Sequence, residues 1–316
     1  MINDDFNTSF RAWFDEQTQR PFIRKMLKVF LAPVFYPVYV FYERRRIIFN
    51  KLDLHILSKC SLNCKYCSTM MPFFKEPAVF PKEEILRDFW QLEKYVDRFD
   101  TVNLLGGEPL LHPDLPDIIS EIALSSKVKK ITVVTNGTLF PSEKLLSVFA
   151  GKKIFVVVSN YFPLSGEINN ILSQFRKDNI SFSVATSWFN DYGRNGRLNR
   201  SEEDMKYAFS HCLETLCRTY LHGKLYLCPA SAQMDVLGMC KPAPEDFIDI
   251  REVRERGLPR KTVRERLKKL LRERTYVSAC NYCEGHYRDQ AIRKSAEQLP
   301  PNRYIDPTDF SANNRE

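Results

Sequence analysis

Cys60-Ser61-Leu62-Asn63-Cys64-Lys65-Tyr66-Cys67 brings three thiols together in one short stretch. It follows a run, Leu52 to Leu57, that reads as a strand, and the loop is long enough to wrap a metal centre. Three close thiolates suit soft metals. A zinc site would close with a fourth Cys or His from a second short pair, whereas His55 lies back on the strand and the next cysteine is Cys212. An iron–sulfur cube held by three cysteines leaves one iron open, and an open metal position is what a catalytic centre needs to bind a ligand.

Outward from this stretch, short β-branched runs alternate with amphipathic helical stretches, the pattern of βα units around a parallel sheet. After the first strand, Pro81-Lys82-Glu83-Glu84 opens a helix with proline and acids in its first turn and with Ile85, Leu86, Phe89, Leu92 and Val96 on one face. Strands are expected at Thr101 to Leu105, Ile131 to Val134, Ile154 to Val158 and Ile180 to Ala185. The helices between them run over Leu115 to Leu124, Ser142 to Ala150 and Ile168 to Phe175. A sixth strand, needed for the commonest partial barrel of this sort, is expected after Trp188.

The CxxxCxxC spacing, with Tyr66 just before the last cysteine, resembles the signature of the radical S-adenosylmethionine (radical SAM) enzymes. The resemblance implies a [4Fe-4S] cluster on Cys60, Cys64 and Cys67. Its open iron would chelate the methionine moiety of SAM, and reduction would release a 5′-deoxyadenosyl radical. Leu104-Leu105-Gly106-Gly107-Glu108-Pro109, at the end of the second strand, is similar to the GGE motif of that superfamily, whose backbone and acid contact the methionine ammonium. Paired glycines permit close backbone approach and a carboxylate complements a cation. Thr135-Asn136-Gly137 follows the third strand and Ser159-Asn160 the fourth, where the superfamily hydrogen-bonds the ribose and carboxylate of SAM. These signals cover residues 51 to 160. They imply an α/β fold, a partial (β/α)6 barrel of radical SAM type with a small C-terminal auxiliary iron–sulfur domain.

Cys212, Gly223, Cys228, Cys280 and Cys283 are spaced as in the Twitch form of the SPASM extension, a shortened auxiliary-cluster domain. Cys217 complicates the match. A two-residue turn at His222-Gly223 pairs Leu221 with Lys224, and continuing that register sets Cys217 opposite Cys228. Five cysteines thus compete for four positions on an auxiliary [4Fe-4S] cluster, with Cys217 favoured over Cys212 on geometry; a structural zinc is the rival. Cys240 reads as a buried structural thiol. None of His55, His112, His211, His222 and His286 is given a catalytic role.

Of 316 residues, 44% are hydrophobic and 27% charged, which excludes a disordered or collagen-like chain. The expected division is an aromatic, basic arm (1–50), the barrel (51–200) and the auxiliary domain (201–316). Met1-Ile2-Asn3-Asp4-Asp5 lacks signal-peptide character and nine cysteines is an odd number, so a cytoplasmic, reducing location is expected. Val29 to Tyr42 holds Pro33 and Pro37 and falls short of the ~20 apolar residues of a spanning helix. Arg24, Lys25 and Lys28 before it and Arg44, Arg45 and Arg46 after it fit a packed arm or, alternatively, peripheral membrane contact through residues 24–46.

Lys and Arg total 47 against 39 Asp and Glu, a formal charge of +8 that favours anionic partners. With Arg194, Arg197 and Arg200 beyond the rim, this points to a small anionic substrate such as a sugar phosphate or nucleotide sugar. The basic stretch Arg251 to Arg274 carries no nucleic-acid motif, and no nucleic-acid partner is expected. The resemblance implies an electron donor of the flavodoxin or ferredoxin kind. Dehydrogenation is favoured, with epimerisation, peptide modification and a non-catalytic zinc scaffold as alternatives.

Overall fold

The computed structural model describes residues 45–185, 197–283, 285, 296–300 and 305. The expected arm up to Arg44, with its basic clusters and apolar run, lies outside the described residues, as do Arg194 and His286. The chain divides into a unit Met1–Ile47 and a unit Ile48–Glu316. The second is described here.

Five βα repeats form as the hydrophobic periodicity dictates. Strands β1 (Ile48–Leu57), β2 (Arg98–Gly106), β3 (Val128–Thr135), β4 (Ile154–Ser159) and β5 (Phe182–Ala185) pair in parallel, each beside the one before it. Helices α1 (Lys82–Glu93), α2 (Leu115–Ala123), α3 (Glu143–Phe149) and α4 (Ile168–Lys177) connect them. Sequence explains their starts: Pro81 sits at the N-cap of α1 ahead of Glu83 and Glu84, and the Ser142 hydroxyl accepts the Leu145 amide at 3.3 Å to cap α3.

One face of the sheet carries Leu52, Leu54, Ile56, Val102, Leu104, Ile131, Val133, Val156 and Val158, all buried. The apolar stripes of α1 to α4, including Phe89, Ile118, Ile122, Phe149 and Phe175, are buried with it. Truncating one of these phenylalanines to alanine would cost about 3–5 kcal/mol. The alternation of a strand sends the intervening residues to the other face, which is more polar: Asp53, His55, Asn103 and Thr132. There the Asn103 amide donates to Asp53 Oδ1 at 2.7 Å, and burial pushes the Asp53 carboxyl up to about 6.

The sixth parallel strand, β6 (Cys217–Leu221), does lie after Trp188, yet it joins β1 rather than β5, with Lys51 opposite Cys217 and Leu54 opposite Tyr220. The antiparallel strands β7 (Lys224–Tyr226) and β8 (Phe247–Asp249) follow. The sheet is therefore open and mostly parallel, in the order β5-β4-β3-β2-β1-β6-β7-β8, compatible with a partial barrel. The C-terminal strands are thus hydrogen-bonded onto the barrel's first strand. Helices α5 (Glu202–His211), α6 (Pro229–Val236), α7 (Ile250–Glu255) and α8 (Arg260–Glu273) complete this half, with Gly257-Leu258-Pro259 separating the last two. His222 and Gly223 adopt φ of 50° and 78°, as a tight β6–β7 hairpin turn requires, and Leu221 pairs with Lys224. Among the described residues, no helix is long and apolar enough to cross a membrane.

Candidate functional site

The C-terminal ends of β1 to β4 form one rim, the edge at which parallel α/β folds bind ligands. The cysteine loop leaves β1 there. The Cys67 amide donates to Cys64 O (3.2 Å) and the Met70 amide to Cys67 O (2.9 Å), so the last two thiols share tight turns. The Thr69 hydroxyl donates to Gly106 O at 2.9 Å and lies 3.2 Å from Cys67 Sγ.

The paired glycines at the end of β2 have a firm steric reason. A Cβ on Gly106 would fall 2.1 Å from Leu57 O, and one on Gly107 would fall 2.0 Å from Lys59 O. Gly106 also has φ of 147°. The Gly107 and Glu108 amides donate to these same carbonyls at 3.3 and 2.9 Å. The close approach that the glycines permit is thus to the backbone of the cysteine loop, which they seat against β2.

Glu108 departs from the expected ammonium contact. Its side chain is fully buried. Oε1 accepts from the Leu110 amide (3.0 Å) and the Thr135 hydroxyl (2.8 Å), and Oε2 from the Asn136 amide (2.7 Å). Burial pushes its pKa up while these bonds oppose the shift. The carboxylate ties the end of β2 to the end of β3. Pro109 is buried and starts a 3-10 turn, Pro109–Leu111.

Cys60, Cys64, Cys67, Tyr66, Gly106, Gly107, Thr135, Asn136 and Ser159 all line one cavity; Glu108 and Pro109 do not. Asn136 Oδ1 accepts from the Thr138 amide at 3.0 Å, so its Nδ2 points to Ser61 Oγ at 2.9 Å, with Cys60 Sγ 3.7 Å away. The sequence reading missed Leu105 and Tyr161, which also line the cavity. Tyr161 stands two positions beyond Ser159, where only position along the rim signals it. A C-terminal segment was missed as well. The Lys65 amide donates to Glu297 O (2.7 Å) and the Leu299 amide to Asn63 O (2.9 Å), so this strap crosses the cysteine loop. Gln298 Oε1 accepts the Asn63 amide at 2.8 Å, which fixes the amide's orientation and leaves Nε2 donating to Cys64 Sγ at 3.2 Å.

The donor set suits a cluster with an attached ligand. Burial holds the Cys60 thiol up to about 12, so an adjacent cationic metal group is what would keep it as a thiolate. Glycines pinned against the loop, with amide and hydroxyl groups from β3 and β4, provide the polar wall that an amino acid and a ribose need.

Cys212, Cys228, Cys280 and Cys283 line a second cavity. Cys217 is not among its lining residues, contrary to the geometric expectation. The β6–β7 ladder ends at Thr219 paired with Tyr226, and Cys228 has already left β7 to cap α6, its Sγ accepting the Ser231 amide at 3.4 Å. The register that would have set Cys217 against Cys228 runs out first. Cys217 instead starts β6 beside Lys51, and burial followed by the nearby Asp53 charge raises its pKa. The Gly285 amide donates to Cys283 Sγ at 3.3 Å. Among the described residues no three His, Cys, Asp or Glu groups stand as a ligand set for a single metal ion; the four sulfurs border a cavity instead. Cys240 is buried and does not line it. His55, His112, His211 and His222 line neither cavity.

Arg200 is drawn away from the expected anion-binding group, because its Nη1 donates to the carbonyls of Cys280 and Cys283. Arg197 is exposed.

The open, mostly parallel sheet and the three-cysteine rim are compatible with a partial radical SAM barrel. Residues 54–180 match the radical SAM superfamily, and the chain carries a radical SAM domain. The GTP 3′,8-cyclase of Aquifex aeolicus is 35% identical over 118 residues, covering 35% of this chain and 36% of that enzyme. The S-adenosylmethionine-dependent nucleotide dehydratase of Selenomonas ruminantium is 30% identical over 96 residues, 30% of this chain and 33% of the relative. The matches thus span about a third of these relatives' length. Among solved structures, BtrN in complex with AdoMet and 2-DOIA aligns at a TM-score of 0.47 with 16% identity, over 79% of this chain and 97% of that one.

Proposed function

We propose that the chain is a radical SAM oxidoreductase acting on a small, anionic, hydroxyl-bearing substrate, with a Twitch-like auxiliary [4Fe-4S] cluster on Cys212, Cys228, Cys280 and Cys283. The observation that carries the reading is the convergence of these four cysteines, from three separate segments, on one cavity. Cys60, Cys64 and Cys67 would hold the first cluster. When bound, that cluster and SAM supply a one-electron cleavage that yields a radical able to take a carbon-bound hydrogen. Gly106 and Gly107 seat the loop, Asn136 and Tyr161 wall the cavity, Ser159 offers a hydroxyl to SAM, and Thr135, its hydroxyl committed to Glu108, joins the wall.

A second redox centre fits an oxidation, which leaves an electron to be removed, better than a redox-neutral rearrangement. The charge of +8 fits a phosphorylated substrate such as a nucleotide sugar. The nucleotide chemistry in the names of the curated relatives fits the same class. An electron donor of the flavodoxin or ferredoxin kind and a cytoplasmic setting accompany this reading. Epimerisation is the second reading, supported by Cys217, a thiol on the inner face of the sheet and outside the cluster cavity that is the candidate hydrogen donor.

The test is anaerobic. Wild-type protein incubated with deuterated nucleotide sugars, SAM and reductant should give 5′-deoxyadenosine carrying substrate deuterium and an oxidised sugar. Cys212→Ala should lose close to one cluster's iron, and Cys217→Ala none. Iron loss in Cys217→Ala alone would reverse the ligand assignment, and an inverted product that has gained a solvent hydrogen, with the substrate deuterium left in 5′-deoxyadenosine, would favour epimerisation.

A further inference from the structure

Arg200 and Arg218 lie behind the wall of the second cysteine cavity without lining it, and both direct guanidinium bonds to backbone carbonyls of that wall or next to it. Arg200 Nη1 donates to Cys280 O at 2.8 Å and Cys283 O at 2.6 Å. Arg218 Nη1 donates to Leu227 O at 3.1 Å and to Thr215 O, tying the turn after Cys212 to the residue before Cys228. Among the described residues neither has a carboxylate as a hydrogen-bond partner, in contrast to Arg251, Arg264 and Arg274, which meet Asp88, Asp97 and Asp246. Half-buried guanidiniums bonded only to neutral groups are unfavourable unless an anion lies nearby. Cys228 and Cys217 are the charge-bearing groups that act on Arg218, and Arg200 acts on Cys280 and Cys283; Glu214 lines the same cavity.

Four thiolates around an oxidised iron–sulfur cube leave two net negative charges, and one-electron reduction adds a third. Two cations close by balance the first state and favour the second, since charge and hydrogen bonding around a cluster set its potential. We propose that Arg200 and Arg218 are the charge partners of the auxiliary cluster and hold its reduction potential high enough for it to accept an electron. This rests on the auxiliary-cluster reading above and extends it to residues outside the ligand set.

The experiment is an anaerobic redox titration of the full, reconstituted chain, followed by electron paramagnetic resonance. It compares wild type with Arg200→Gln, Arg218→Gln, Arg200→Lys and Arg218→Lys. Glutamine keeps an N–H donor and removes the charge; lysine keeps the charge and loses the planar fork. Each Gln variant should lower the reduced-to-oxidised ratio of the auxiliary cluster about tenfold at a fixed potential, a shift of about 59 mV for one electron. The Lys variants should stay near wild type, and the first cluster should not move. Gln variants that leave the potential unchanged, or Lys variants that shift as far as Gln, overturn the proposal. If the Gln variants do not load iron, the Lys variants decide. Loading with a wild-type potential supports charge pairing, and failure to load reduces the arginines to structural staples. Wild-type protein with a single cluster's iron would instead overturn the auxiliary-cluster reading itself.

Discussion

The Glu108 carboxylate meets three donors and no solvent, and two of those donors, Thr135 and Asn136, come from the next strand end. That is why its role escapes a reading of the local motif: Gly106-Gly107-Glu108 is legible as a motif, but the acid's partners lie outside it. Glutamine has one acceptor oxygen where the carboxylate uses two. Whichever way the amide turns, Nε2 faces a donor, either the Asn136 amide or the pair from Leu110 and Thr135. An unpaired buried donor costs about 1–3 kcal/mol. Glu108→Gln should therefore lower the midpoint of urea unfolding by a corresponding amount while the iron of the auxiliary site is retained. A midpoint equal to wild type would mean that the three bonds are not all formed in solution.

Among the elements, β1 to β5 and their helices were legible because each repeat carries its own apolar alternation and its own start signal, such as Pro81 or Ser142. The expected bounds fall inside the observed ones for β1 to β4 and run two residues early for β5. The place of β6 was not legible. Cys217-Arg218-Thr219-Tyr220-Leu221 is short and mixed in character, and its partner is a strand near the other end of the chain. Its cysteine invited the one geometric inference that failed, since nothing in the residues says that β7 stops at Tyr226. The strap at Glu297 to Leu299 was equally silent, being a short polar segment before two prolines. It gives a prediction of its own. Gln298 donates to Cys64 Sγ and pins the loop from outside, and partners of this kind on a metal-holding sulfur change metal affinity by 10–100-fold when removed. Gln298→Leu should lose the first cluster's iron on the order of tenfold faster in air, followed as bleaching of the cluster's visible absorbance. Bleaching at the wild-type rate would show that the strap does not shield the site.

For the whole molecule, two buried groups on the inner face oppose each other in acid. Burial, then the charge of His222, pushes His55 down from 6.5 to about 3. The unfolded chain therefore binds a proton that the folded chain refuses, and stability falls as the pH drops below about 6.5. Asp53 works in the other direction. Burial raises it from 3.8 to about 6, so the folded chain takes up the proton first and stability rises as the pH falls through that window. Each contributes at most about 1.4 kcal/mol per pH unit. His55→Asn removes only the first effect, so between pH 6.5 and 4 the variant should gain stability relative to wild type, read from denaturant midpoints at each pH. A difference that stays constant with pH would show that His55 titrates normally in the fold. The pairing of β1 with β6 carries a different consequence. The first cysteine loop leaves the far end of β1, beyond Leu57, whereas Cys212 lies just before the near end of β6, where Lys51 meets Cys217. At about 3.3 Å per residue, the strand between sets the two ends about 20 Å apart. The sheet thus acts as a ruler with a fixed graduation. Its length can change only by a slip in register, which would turn Asp53 and His55 to the opposite face. A molecule bound between the two loops meets a span of constant length, whatever the surrounding loops do.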